Sequence, residues 1–135
     1  MREIKFRAWF HGKKRMVYNL GFDHDSFKAI EDAHDMPCVW DLDKCDESGN
    51  CEGAFAYEIM QYTGLKDKHG REIYEGDIVK CRDTYEPITF TGKVSFGNGS
   101  FFVETDLGGH YRWLDYEVEV IGNIFENIDK LEVTE

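Results

Sequence analysis

No apolar run in this 135-residue chain approaches the roughly 18 to 20 residues that span a bilayer, and the N-terminal MREIKFRAWF alternates instead of forming a signal core. Both absences predict a cytoplasmic protein without membrane attachment. Paired cysteine spacings are missing as well. Cys38, Cys45, Cys51 and Cys81 fit neither a disulfide framework nor a CxxC pair, so reduced thiols are expected. Prolines number two, Pro37 and Pro87, which leaves no proline-rich linker. Positive charge is in short supply, and the net charge of −11 repels nucleic acid at long range.

Motifs that bind phosphate or catalyse are also absent. The stretch GLKDKHGREIYEGDIVK spaces Gly64, Gly70 and Gly76 among charges, yet it is neither GxxxxGK[ST] nor GxGxxG. A calcium loop needs alternating oxygen ligands, and Asp67, Lys68, His69 and Gly70 supply too few. The five histidines, His11, His24, His34, His69 and His110, lie in expected turns or in an acidic block, away from any signature nucleophile. The best metal set is His34, Cys38, Cys45 and Cys51, with His24 beside it. Its intervals are four, seven and six, whereas structural sites usually pair zinc ligands two to four residues apart, so ordinary thiols are the preferred reading. No catalytic residue is assigned and no cofactor is expected.

What is present is strand pattern. Aromatics make up 15% of the chain, which suits strands better than helices. IKFRAWF puts Ile4, Phe6, Ala8 and Phe10 on one face with Lys5 and Arg7 opposite and Trp9 as the exception; RMVYNL follows in phase, so a hairpin turns at His11 to Lys14. From about 21 to 53 the chain is acidic, and this block reads as an insertion with one short helix capped near Asp25 or Ser26, carrying Phe27, Ile30 and Ala33 or His34, followed by irregular turns. Strands return at FAYEIMQYT. His69-Gly70 sits where a type I′ hairpin turn is expected, and Gly76-Asp77 reads as a second reversal. DIVKCR, FTGKVSF, SFFVET, HYRWL and VEVIGNIF then follow at short spacing. The expectation is a mainly β protein: an N-terminal β-hairpin sheet region over 1–76, an SH3-like small barrel over 77–126 and a tail over 127–135 with one helical turn.

The blocks MREIKFRAW with KRMVY, MQYTGLKDKHGREIYEGDIVK and VIGNIFEN together resemble the YopX family of phage and prophage proteins. The resemblance implies a small, mainly β, phage-encoded cytoplasmic protein and brings no established activity or catalytic residue. The positions it matches are strands and turns: Gly64, Gly70, Gly76, Asp77, Gly122 and Asn123. His69 departs from the asparagine usual at its turn, and the acidic block matches no family pattern.

Three functional readings follow. The first is a non-catalytic module that binds a phage or host protein, or assembles with itself through sheet edges, presenting aromatics such as Trp9, Trp40 or Trp113. The second is a nucleic-acid role in phage replication or regulation, with Arg7, Trp9, Lys14 and Tyr18 of the basic hairpin as contacts; the net charge disfavours it. The third is an acidic decoy that inhibits a basic host protein.

Overall fold

The computed structural model describes residues 3–22, 39–54, 56–86 and 88–131. The short helix expected near Asp25, with Phe27, Ile30 and His34, lies outside the described residues, as do His24, Pro37, Cys38 and Pro87. The chain forms two compact units. One comprises Phe6–Met60, and the other Met1–Lys5 with Gln61–Glu135. The boundary between them at 60/61 lies within a strand.

In the first unit β1 (Phe6–Phe10) folds back on β2 (Arg15–Val17), pairing Phe10 with Arg15 and Ala8 with Val17. The amides of Lys13 and Lys14 donate to the Phe10 carbonyl to close the turn. The expected one-sided strand is corrected here: Arg7, Ala8, Trp9 and Phe10 are all buried, and Ile4 and Phe6 are exposed. A strand covered on both faces loses its alternation signal, because each face then accepts bulk.

The acidic block was expected to run irregularly, and it holds strands instead. β3 (Leu20–Phe22), β4 (Val39–Cys45) and β5 (Cys51–Ala54) form an antiparallel sheet in the order β3-β4-β5. Asp41 disguises β4. Its carboxylate is buried and meets the Arg15 guanidinium at 2.8 Å, so an acid stands where a strand normally carries an apolar residue. Ala8, Phe10, Val17 and Val39 make this unit's core, with Leu20, Ala54 and Tyr57 against it.

Residues 61–66 of β6 (Tyr57–Lys66) belong to the second unit, where they pair with β7 (Glu72–Tyr74). The register shifts between Tyr62 and Lys66, and Gly64 sits in that irregularity at φ 86°. Gly64 therefore serves a bulge and not the turn expected of it, which is a place where glycine alone adopts positive φ without cost.

β8 (Asp77–Arg82), β9 (Thr89–Gly97), β10 (Ser100–Thr105), β11 (Gly108–His110) and β12 (Glu117–Asn123) form an antiparallel sheet ordered β11-β10-β9-β8-β12. Val79, Cys81, Val94, Phe101, Val103, Val118 and Val120 converge on Ile73 and Trp113 to form a second core. HYRWL does not make a strand. Trp113 opens a 3₁₀ turn (Trp113–Asp115), is buried, and donates its indole N–H to the Phe101 carbonyl at 3.1 Å. Trp9 and Trp113, offered as exposed aromatics, are thus core residues. A second 3₁₀ turn, Ile128–Leu131, meets the expected helical turn of the tail. Among the described residues the protein is mainly β, its helical content consists of 3₁₀ turns, and no helix is long and apolar enough to cross a membrane.

Candidate functional site: an open sheet edge beside an aromatic pair

The two edges of the five-stranded sheet are treated differently. At β12 the turn after β6 closes the edge. The Lys68 amide donates to the Val118 carbonyl at 3.0 Å, Asp67 Oδ2 accepts the Val120 amide at 2.9 Å, and Arg71 Nη1 donates to the Val120 carbonyl at 3.3 Å. Asp67 is buried, which by itself would raise its pKa. The amides of Val120, Arg71 and His69 outweigh that and hold the carboxyl below its ordinary value. Lys68 adds ion pairs to Glu117 and Glu119 outside this clamp, and His69 Nε2 lies 3.6 Å from Glu119.

β11 is the other edge, and among the described residues no further strand pairs with it. Gly108 and Gly109 are exposed. Alternation in SFFVET sends Phe101 and Val103 to the core and Phe102 to the opposite face, where its ring stacks on Tyr111 at 4.7 Å between centroids and 28° between planes. The Tyr111 hydroxyl accepts from Asn98 Nδ2 at 3.2 Å. Gly97 and Gly109 leave room for the Phe102 ring: a methyl added to Gly109 would stand 3.0 Å from it. Tyr111 is half exposed and Leu107 is 92% exposed at the tip of the adjoining turn. A cavity of about 460 Å³ is lined by Lys93, Glu104, Asp106, Ile124, Ile128 and Leu131, and Lys93 pairs with Glu104 at 4.0 Å.

The residues singled out in the sequence end up as follows. Gly70 and Gly76 adopt positive φ in turns. The turn at His69-Gly70 is not type I′, since His69 keeps negative φ; Asp67 opens it, Gly70 alone takes the left-handed position, and histidine there costs nothing. The type I′ geometry occurs at Asn98-Gly99, where both residues have positive φ. Asp77 Oδ2 accepts the Tyr74 amide at 2.8 Å, and the Gly76 carbonyl accepts the Ile124 amide. At Gly122 a methyl would collide with Asn127 at 2.6 Å, and Asn123 Oδ1 accepts the amides of Phe125 and Glu126.

Of the hairpin contacts, Arg7 and Trp9 are buried, while Lys14 and Tyr18 are exposed. The neighbouring bases are occupied: Lys5 bonds Glu72, Lys13 meets Glu52 at 3.3 Å, and Arg15 bridges Asp41 and Glu52. Positive charge on this hairpin is largely spent inside the molecule. The expectation of free thiols is corrected for two cysteines, since Cys45 and Cys51 are register partners across the β4–β5 hairpin and form a disulfide. Sequence spacing missed it because cross-strand pairing depends on turn length and not on a cysteine motif. So bonded, Cys45 and Cys51 offer no thiolate to a metal, and among the described residues no cluster of three or more histidine, cysteine or acidic side chains is placed to hold one. Cys81 is a free thiol whose burial pushes its pKa up to about 12.

Together these features define a strand-rich protein with one guarded and one open sheet edge. The YopX protein family model matches residues 5–132, and the chain belongs to that family. It is similar over 97% of its length to protein EF1440 from Enterococcus faecalis, covering 99% of that chain at 31% identity with a TM-score of 0.62. It is similar in fold to yopX from Bacillus subtilis, with 100% of each chain covered, 18% identity and a TM-score of 0.66. The sequence matches none of the curated proteins. The names of these relatives state no activity, so what the likenesses carry is family and fold.

Proposed function

We propose that this chain is a non-catalytic interaction module whose C-terminal unit is an SH3-like half-barrel that takes an extended segment of another polypeptide along β11. The strand order β12-β8-β9-β10-β11, with a 3₁₀ turn before the last strand in sequence, supports the small-barrel reading. The observation that carries the binding mode is the contrast between the two edges. β12 is closed by Asp67, Lys68 and Arg71, whereas among the described residues β11 ends the sheet, next to the stacked pair of half-buried Phe102 and half-exposed Tyr111. A row of unsatisfied backbone groups invites strand addition, and an aromatic pair alongside gives the incoming side chains a surface to bury. The segment belongs either to a partner protein or to a second copy.

A photo-crosslinker placed at Leu107 tests this in cells and with the purified protein. It is expected to trap a polypeptide, whereas the same probe at Glu119 beside the guarded edge traps none. Replacing Phe102 and Tyr111 together by alanine is expected to cut the yield about tenfold, as interface aromatics typically do. Equal trapping from both edges, or none from Leu107 under either condition, removes the proposal.

A further inference from the structure

The β4–β5 hairpin is held twice over. Asp46 Oδ1 accepts the amides of Ser48 and Asn50 at 2.9 Å each, the Asp46 amide donates to the Asn50 carbonyl, and the Gly49 amide donates to the Asp46 carbonyl. The Cys45–Cys51 disulfide spans the same turn with a sequence separation of 6. Closing so short a loop removes less chain entropy than closing a long one, and none of these four hydrogen bonds runs through a sulfur. The turn thus has a closure of its own besides the disulfide, which lies at the hairpin's exposed end, with Cys45 exposed and Cys51 half-buried.

The surroundings of the two sulfurs differ. Cys51 lines a cavity of about 470 Å³ together with Gly21, Phe22, Trp40, Leu42 and Asn50. Cys45 Sγ lies 3.3 Å from the Leu42 carbonyl and 3.8 Å from that of Asp41. Those oxygens repel an approaching thiolate, and they become acceptors for the S–H once Cys45 is released. Cys51 Sγ has the Gly49 carbonyl at 3.8 Å for the same purpose. Both the bonded and the reduced states thus have their partners in place.

We infer that Cys45–Cys51 is a thiol–disulfide exchange site, attacked at Cys51 from the Trp40–Phe22 cavity, and that it takes thiols carried on cationic or neutral molecules. The incoming thiolate forms a bond to Cys51 Sγ, the Cys45–Cys51 bond breaks, and its electron pair leaves on Cys45, which takes a proton from solvent. A second thiolate attacks the mixed disulfide, so two thiols are oxidised to one disulfide and the protein is reduced to a dithiol. The charge preference comes from the hairpin. Asp41 and Glu52 are matched by Arg15 and Lys13, but among residues 43–47 Asp43, Asp46 and Glu47 stand against the single base Lys44, leaving an excess of negative charge in this part of the hairpin.

The test uses the full-length oxidised protein with cysteamine, 2-mercaptoethanol and 3-mercaptopropionate, each rate divided by the same thiol's rate with the neutral 2-hydroxyethyl disulfide so that differences in thiolate nucleophilicity cancel. Acid quenching and peptide mapping read the adducts. Cysteamine is expected to react about fivefold faster than mercaptopropionate at low salt, with the gap closing near 0.5 M salt as screening sets in. Early adducts are expected on Cys51, with native circular dichroism retained. The variants C45S and C51S, treated with cystamine, give a second reading: Cys51 of the first is expected to be modified faster than Cys45 of the second. Adducts on Cys45, rates independent of reagent charge, or reduction only where the protein unfolds would each overturn the assignment.

Discussion

Asp46 and Asp67 each start the same five-residue turn, DESGN in one unit and DKHGR in the other. In both, the aspartate Oδ1 accepts the amides two and four residues on, and a glycine in the fourth place takes positive φ, 88° at Gly49 and 84° at Gly70. The glycines were readable in the sequence as backbone devices, and so was Asp77; the aspartates that organise the turns were not, because an acid in a charged stretch looks the same whether it is solvated or capping. Asp67 carries the larger consequence, since its second oxygen also holds Val120. Replacing Asp67 by alanine strands three amides, two of them in the turn and one in β12, and is expected to cost about 3 kcal/mol in urea unfolding at pH 7. The sign with pH follows from the lowered native pKa. The contribution is complete above the unfolded carboxyl's value and is lost as pH falls from there through the lower native value. The wild-type protein is therefore expected to lose stability over that acid window more steeply than D67N, and equal slopes would show that the carboxylate does not titrate as argued. Cys81, with its thiol buried and its pKa near 12, is expected to stay unlabelled by iodoacetamide in the native protein and to react once denatured, as peptide mapping can verify.

Among elements, β9 shows how far alternation reaches. Phe90, Gly92, Val94 and Phe96 were legible as one face; Phe90, Gly92 and Val94 do lie at the core, while Phe96 at the strand's end is exposed. Why Gly92 is glycine was not legible. A methyl there would sit 2.5 Å from the Glu104 carbonyl and 2.7 Å from Val103, so the neighbouring strand β10 sets the requirement. Gly92→Ala is expected to destabilise by about 1 to 3 kcal/mol, whereas Gly12→Ala, with nothing within 4 Å, is expected to be near neutral in the same thermal melts. β1 and β4 hid their character for opposite reasons. β1 is buried on both faces and so never alternates, and β4 carries an acid whose partner, Arg15, lies on a different strand.

At the scale of the molecule, charge is the property that composition states directly and structure only distributes. The described ion pairs are mostly exposed, and such pairs contribute little individually. With a net charge of −11, repulsion among the remaining carboxylates outweighs them. Raising sodium chloride from 50 mM to 500 mM is expected to increase the melting temperature by a few degrees, about what screening of surface charge supplies. A falling melting temperature would mean that the ion pairs dominate. The division into two cores, one around Phe10 and Val39 and one around Val79 and Trp113, was not visible in the strand pattern, because β6 runs unbroken through the boundary.

By itself, the sequence determined the mainly β character, the family, several of the positions where the backbone reverses, Gly70 and Gly76 among them, and the overall negative charge. These depend on side-chain period, on glycine's access to positive φ and on composition, all of which are local. Tertiary structure alone decided that Trp113 is core, that Cys45 meets Cys51, that Asp67 guards β12 and that β11 ends the sheet among the described residues. Each of those depends on which strand lies beside which, and that is fixed only when distant segments pair and bury their faces together.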